Sequence, residues 1–241
     1  MTKKIILITG CSTGIGFDSA FALKKRGHRV IASCRKVDDV TKLSNMGIET
    51  VLLDVSDSDS INTAFTQVMA WTEGRLDVLI NNAALAQEKP YLEITESDYE
   101  KVMKVNLQVP FILSQKLIPH MREQKWGRII NISSIGGQWG GVNQIHYAVS
   151  KAGLINLTRS IAKTFGKDEL TCNCIAPGLI KTDMIELELK SEAGRKKVEM
   201  IPSGRLGEIE EVAATVRFLI SDQASYINGQ TINLNGGLYF N

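Results

Sequence analysis

Tyr147 and Lys151 stand four residues apart in Tyr147-Ala148-Val149-Ser150-Lys151, and the run continues Ala152-Gly153-Leu154-Ile155-Asn156-Leu157. Its apolar residues recur with a helical period, so the two side chains share one helix face about a turn apart. A phenol with an ordinary pKa of about 10 is a poor proton donor or acceptor at neutral pH. An ammonium held beside it favours the phenolate and brings the group toward the range where general acid–base catalysis is efficient. Upstream, Arg128-Ile129-Ile130-Asn131-Ile132-Ser133 has the look of a buried strand, and Ser134 follows it. That places a hydroxyl at a strand's carboxyl end, where open α/β sheets bind ligands. A Tyr and a Lys at this spacing could also be a surface pair, and spacing alone favours that reading. The motifs around them, taken in order, overturn it.

The elements that would position these groups begin at the amino terminus. Ile5-Ile6-Leu7-Ile8 is strand-like, Thr9-Gly10-Cys11-Ser12-Thr13-Gly14-Ile15-Gly16 is a glycine turn, and an amphipathic run through Phe21, Ala22 and Leu23 follows. In a strand–turn–helix context, Gly10 allows a tight turn and Gly14 lets backbone approach a pyrophosphate. Gly16 lets the helix pack closely, with its amino terminus toward the phosphates. The spacing G-x-x-x-G-x-G is one residue longer between its first two glycines than the usual dinucleotide fingerprint. A second strand, Arg29 to Cys34, ends where an NAD-preferring fold places a carboxylate for the ribose hydroxyls. Here Cys34 is followed by Arg35 and Lys36, two cations suited to a 2′-phosphate, and Arg35 can bind it bidentately. The alternative is a solvated loop, with Asp38 and Asp39 near enough to reach a ribose. NADP is the expected cofactor.

Further along, strands are expected at Val51–Val55, Leu76–Ile80, Leu170–Ile175 and Gln230–Leu234, with helices at Ser60–Trp71, Ser97–Leu117 and Glu208–Ser221. Asn81-Asn82-Ala83-Ala84 ends one strand, and a plain Asn turn would look the same. Asn106 interrupts the helical pattern between Val105 and Leu107 at a cost in propensity, which makes an interior role worth carrying. Gly136 to Gly141 is expected as a flexible loop. Its Trp139 is either a wall of the substrate pocket or an exposed aromatic. His146 adjoins Tyr147, but helix neighbours point in different directions, so it is expected as a bystander. An excursion at about 179–201 interrupts the rhythm and is of a size usual for lids or binding loops; it carries Met184, a further substrate-side candidate. The alternation of strands and helices predicts a single-domain Rossmann fold over residues 1–241, a doubly wound seven-stranded parallel sheet with helices on both faces.

With 241 residues, 44% hydrophobic and 22% charged, the composition is that of an ordinary globular chain. A net charge of +2 gives no reason to expect nucleic acid or membrane surfaces as partners. No signal pattern precedes the first strand and no apolar run is long enough to span a bilayer, so the cytoplasm is the expected compartment. Cys11, Cys34, Cys172 and Cys174 lack zinc-type spacing, and no metal site is expected.

In this order the motifs resemble the short-chain dehydrogenase/reductase family along essentially the whole chain. The resemblance is carried by Thr9 to Gly16, Asn81 to Ala84, Asn106, Ser134, Tyr147 to Lys151 and Pro177-Gly178, with the family's thirteen-residue separation between Ser134 and Tyr147. It implies hydride transfer between a nicotinamide and a carbonyl or alcohol carbon. The implied tetrad is Asn106, Ser134, Tyr147 and Lys151: Tyr147 as proton donor, Ser134 on the substrate oxygen, Lys151 on the nicotinamide ribose and the Tyr147 pKa, and Asn106 positioning a water. The cofactor would lie along Gly10, Ser12, Thr13, Gly14, Ile15 and Gly16, with Arg35 and Lys36 at the 2′-phosphate. Asp54 and Val55 would meet the adenine, Asn82, Ala83 and Ala84 the adenosine side, Pro177, Gly178, Ile180 and Thr182 the nicotinamide. Substrate would meet Ser134, Trp139, Tyr147 and Met184. Thr13 stands where NADP-using relatives often carry a second basic residue, and Ala84 replaces the commoner Gly.

Within the family the second half is most similar to 3-oxoacyl-(acyl carrier protein) reductases. Those dock an acidic carrier protein on basic residues; Lys125 fits one such position, while Asp168 occupies the other with Lys167 adjacent. The resemblance also implies a homotetramer formed through the helices holding Asn106 and Tyr147 and through the last helix and strand. The leading expectation is an NADPH-dependent reductase of a ketone or 3-oxoacyl thioester. An NAD(P)-dependent dehydrogenase of a secondary alcohol or sugar, and a non-catalytic nucleotide-sensing protein, are the competing readings.

Overall fold

The computed structural model describes residues 3–182, 185 and 192–240. The chain alternates strand and helix. The strands are β1 (Ile5–Ile8), β2 (Arg29–Cys34), β3 (Glu49–Leu52), β4 (Val78–Asn81), β5 (Gly127–Ile132), β6 (Leu170–Pro177) and β7 (Thr231–Leu234). The principal helices are α1 (Gly14–Lys25), α2 (Val37–Asn45), α3 (Ser58–Trp71), α4 (Glu96–Met103), α5 (Val109–Glu123), the single turn α6 (Gly136–Trp139), α7 (Ile145–Phe165), α8 (Glu192–Glu199) and α9 (Ile209–Leu219).

All seven strands are parallel, in the order 3-2-1-4-5-6-7. The chain winds outward from β1 to β3, then crosses back to lay β4 on the other side of β1. That reversal opens a crevice at the carboxyl ends of β1 and β4. Period-two alternation divides the core. Ile6, Ile8, Val30 and Ala32 face α1, α2 and α9, whereas Leu7, Ile31, Leu79 and Ile129 face α3, α5 and α7. The strands are apolar on both faces because helices cover both.

Several element boundaries differ from the sequence expectation. The third strand starts at Glu49, whose carboxylate holds Arg29 of β2 through two bonds of 2.7 and 2.8 Å. It ends at Leu52, because Asp54 turns the chain: its N–H donates to the Ser60 hydroxyl and its carboxylate accepts from Ser56. The fourth strand begins at Val78, just after Asp77, whose carboxylate accepts from the Ile5 N–H at 2.8 Å. The helix expected over Ser97–Leu117 is broken in the middle. Lys104–Gln108 is a π-helical turn in which the Val109 N–H reaches the Lys104 carbonyl. The glycine-rich stretch after Ser134 is partly ordered into α6, ended by Gly140 at a φ of 90°.

Candidate active site

The glycine turn is held by its neighbour strand. The Thr9 hydroxyl accepts from the N–H groups of Asn82 and Ala83, both at 3.0 Å, and the Asn82 amide donates to the carbonyls of Thr9 and Gly10, both at 2.9 Å. Gly10 has a φ of 70°, and a Cβ there would sit 2.7 Å from the Ala83 Cα. This close approach, not chain flexibility, fixes glycine at that position. Asn82 is therefore a clip for the turn. Gly16 packs on the Asn82 amide and the Gly10 carbonyl, so its small size serves the turn rather than contact between helix and sheet.

Gly14 is different. Its φ is 61°, and nothing lies within 4 Å of where a Cβ would be. Thr13 caps α1 in an extended conformation without a side-chain cap bond, and the first turn carries no acidic residue. The orphan N–H groups and the positive end of the helix dipole thus border open space, an arrangement that suits a pyrophosphate. Ser12 and Ile15 are half-buried on the turn, and Thr13 is exposed.

At the far end of the crevice Cys34 is buried, and Arg35 and Lys36 emerge exposed beyond it. Burial alone would raise the Asp54 carboxyl. The Ser56 hydroxyl at 2.7 Å and amide at 2.8 Å, with the charges of Arg35 and Lys104, outweigh that and hold it below the usual range. The Arg35 charge is thus felt at the residue expected to meet the adenine. Val55 packs against the core beneath α3, and Ala83 and Ala84 continue the rim beside the glycine turn. These features fit a dinucleotide with an additional phosphate at the Arg35 end.

The opposite end holds Ser134, Tyr147 and Lys151, the residues expected to transfer a proton. β5 leads to Ser133, whose hydroxyl donates to the Lys151 carbonyl at 3.0 Å, and to Ser134, whose hydroxyl accepts from the Gly136 N–H at 3.1 Å. Tyr147 reaches Ser134 from the first turn of α7. Burial raises the phenol above its ordinary pKa, and the hydrogen bond with Ser134 works against that rise. Lys151 is 2% exposed; its ammonium donates to the Ile132 carbonyl at 2.8 Å and lies 5.6 Å from the Tyr147 ring centroid. Burial lowers Lys151 to about 8. The two residues do share a face, yet the expected depression of the phenol by the ammonium is not found here. Desolvation dominates, and the ammonium is engaged by a main-chain carbonyl instead.

Asn106 sits in the π-helical turn, 1% exposed. Its side-chain oxygen accepts from the Leu85 N–H at 2.8 Å. Its amide donates to the Leu85 carbonyl and the Ser150 hydroxyl, each at 3.0 Å. Ser150 in turn donates to the Tyr147 carbonyl at 2.7 Å. Asn106 therefore ties the chain after β4 to the turn of α7 that presents Tyr147. A cue lay in the sequence: Pro110 has no N–H to give the carbonyl of Asn106, four residues back, so that helical bond is missing where the irregular turn occurs.

A cleft of about 1510 Å³ opens over Ser134 and Tyr147. Its walls are largely apolar, with Ile135, Trp139, Val142, Leu179, Met200 and Leu238 among them. Trp139, left open between two roles by its sequence, lines the cleft. Pro177 ends β6 with its carbonyl accepting from the Ile135 N–H at 2.9 Å, and Gly178 donates to the Leu234 carbonyl at 2.9 Å. Ile180 is buried, bridged to Gly207, and Thr182 is half-buried. Met184 lies outside the described residues.

One contact set had no sequence signal. Gln87, Glu88 and Lys89, after β4, clasp the segment that starts α7. His146 Nε2 and Gln87 Oε1 are 3.0 Å apart, the Gln144 amide donates to Glu88 at 3.1 Å, and the Lys89 N–H donates to the Asn143 carbonyl at 2.7 Å. Asp98, which forms the capping box of α4 with Thr95, accepts from both Gln87 and Lys89. His146 is 1% exposed. It is not a base facing the cleft; it anchors one wall of it.

Comparison with known proteins gives a consistent picture. A family model described as enoyl-(acyl carrier protein) reductase matches residues 10–239. The 3-oxoacyl-[acyl-carrier-protein] reductase FabG of Aquifex aeolicus is 39% identical over 246 residues, spanning 98% of this chain and 97% of that protein. MabA of Mycobacterium bovis, of the same description, is 39% identical over 236 residues, spanning 98% and 93%. Among solved structures, 4-hydroxyisoleucine dehydrogenase complexed with NADH superposes with a TM-score of 0.92 at 31% identity, covering 98% of both chains.

Proposed function

The chain belongs to the short-chain dehydrogenase/reductase family of oxidoreductases, and on that footing we propose that it is an NADPH-dependent reductase of a ketone or 3-oxoacyl thioester, with Tyr147 as proton donor. The observation that carries the reading is the placement of the Tyr147 phenol. It meets the Ser134 hydroxyl in a largely apolar cleft, with the buried Lys151 ammonium 5.6 Å from its ring centroid, and burial keeps it protonated through the neutral range. A bound nicotinamide supplies hydride. The chain supplies the rest: Ser134 hydrogen-bonds the substrate oxygen and Tyr147 gives its proton as negative charge develops there. Lys151 holds the nicotinamide ribose and keeps a positive charge beneath the phenol. Asn106 fixes the turn carrying Tyr147 and positions a water that links Lys151 to solvent. The names of the relatives support a 3-oxoacyl thioester as the substrate class.

Arg35 supports NADPH over NADH. A second reading, oxidation of a secondary alcohol with NAD, is favoured by the NADH complexes of the structural neighbours and by Thr13 in place of a basic residue. Fluorescence titration with both dinucleotides separates the two. Tighter NADPH binding that falls at least tenfold in Arg35→Asp supports the assignment. Equal affinities in wild type and variant, or a preference for NADH, put the dehydrogenase first.

The proposal covers the thioester and not docking of its carrier. Lys125 is exposed, but Arg122 close by is paired to Asp168 at 3.0 Å, which takes a cation out of a docking patch. We assign the protein to the cytoplasm: its four cysteines are free and buried, as a reducing compartment allows. Among the described residues no helix is long and apolar enough to cross a membrane. The homotetramer is retained as a proposal, because α5 and α7 expose Phe111 and Val149 to 48% and 44%. Light scattering at four chain masses supports it, and one chain mass rules it out.

A further inference from the structure

The last strand is followed by a short segment that does more than end the chain. Asn235, 9% exposed, organises it: its amide donates to the Tyr239 carbonyl at 2.9 Å, and its side-chain oxygen accepts from the Gly237 N–H at 3.0 Å. Its own carbonyl accepts from the Leu238 N–H at 3.1 Å. Gly236 and Gly237 have φ values of 63° and 87°, which turn the chain sharply against Ser203 and Pro202. The result brings Leu238 into the cleft lining and sets the Tyr239 ring edge-on to Trp139, with centroids 6.1 Å apart and planes at 78°. That geometry is the favourable T-shaped arrangement of aromatic rings.

Trp139 reaches the pair from α6, only five residues beyond Ser134. Tyr239 reaches it from the opposite end of the sequence. The same clamp touches the other half of the site: a Cβ on Gly178 would lie 2.9 Å from that of Asn235, so the tail rests directly on the loop that leaves β6. The segment is therefore seated on framework rather than draped over it.

We infer that the Trp139–Tyr239 pair, held by the Asn235 clamp, is an aromatic stop that sets how long or bulky an apolar group on the ketone substrate the cleft accepts. The inference rests on the reductase reading and adds its specificity element. The substrate class it selects is a ketone or 3-oxoacyl thioester with an apolar chain, because Ile135, Leu179, Met200 and Leu238 offer that chain dispersion contacts in a lining whose charged members among the described residues are Glu88 and Lys197.

The test is kcat/KM with NADPH across a homologous series of 3-oxoacyl thioesters of increasing chain length. It compares wild type with Tyr239→Leu, Trp139→Ala and Tyr239→Phe, each checked for folding by thermal melting and NADPH binding. Wild type is expected to show a chain length beyond which kcat/KM falls. Tyr239→Leu and Trp139→Ala are expected to move that limit to longer chains, raising kcat/KM for the first rejected substrate about tenfold, the worth of a methylene or more of pocket. Tyr239→Phe keeps the ring and is expected to restore the wild-type profile. A chain-length profile unchanged in folded Tyr239→Leu, or in folded Trp139→Ala should the first not fold, overturns the inference. Absence of reduction of every ketone by wild type overturns the reductase reading instead, so the two failures are distinguishable.

Discussion

Tyr147 and Lys151 titrate in opposite directions from their ordinary values, for the same reason. Burial disfavours the charged form of each, which raises a phenol and lowers an ammonium. Reduction requires the phenol to hold its proton and gains from the ammonium keeping its charge. With Lys151 at about 8, kcat/KM for NADPH-dependent reduction is expected to be level below neutrality and to fall as pH rises through about 8. A pH–rate profile that rises across that window contradicts the assignment. The effect on folding has the other sign. Lys151 binds its proton more weakly in the folded chain than at its ordinary value of 10.5, so the cost of burying the charge is present below pH 8 and is relieved as pH climbs toward 10.5. The residue types and their spacing were legible in the sequence. The direction in which the phenol shifts was not, because it depends on what surrounds the hydroxyl and where the ammonium points.

At the scale of elements, the active site depends on an irregularity. The π-helical turn Lys104–Gln108 rotates Asn106 inward between β4 and α7, where it joins Leu85, Ser150 and, through Ser150, Tyr147. Asn106→Ala removes the side-chain bonds to Leu85 and Ser150 and leaves a cavity beside a buried hydroxyl. A loss of about 2 kcal/mol in stability is expected by denaturant unfolding, together with at least a tenfold loss of kcat. Wild-type stability and turnover in that variant would show the network to be incidental. Sequence reading found Asn106 by its awkward place in a helix but assigned a continuous helix around it; Pro110 was the overlooked sign. It also placed β1, β2, β5 and β6 to within two residues, since each is an apolar-rich run with a glycine close by to bound it. β3 was misplaced toward its carboxyl end because it opens with two polar residues, Glu49, which pairs with Arg29, and Thr50, whose hydroxyl donates to the Val40 carbonyl. The Gln87–His146 clasp left no trace in the sequence, since it joins positions 59 apart that nothing local relates.

The whole molecule is a parallel sheet whose winding reverses beside β1, with the glycine turn on one side of the reversal and Tyr147, the proposed proton donor, on the other. Polar contacts run through the sheet between them: Asn81 donates to Asn131 at 2.8 Å, and Asn131 to Thr158 of α7 at 2.8 Å. They register β4, β5 and α7 against one another within an otherwise apolar core. The overall architecture was legible because every level agreed, from the strand–turn–helix start to the alternating rhythm and the motifs at strand ends. The contribution of the chain's last residues to the cleft was not, because an apolar tail with two glycines gives no sign of where it will dock. The most direct test of the account is ketone-dependent NADPH oxidation by wild type and Tyr147→Phe, with NADPH affinity measured on both. The account predicts wild-type turnover of a 3-oxoacyl thioester and a loss of about 10²- to 10⁴-fold in the variant, with dinucleotide binding retained. Turnover in Tyr147→Phe equal to that of wild type would contradict it.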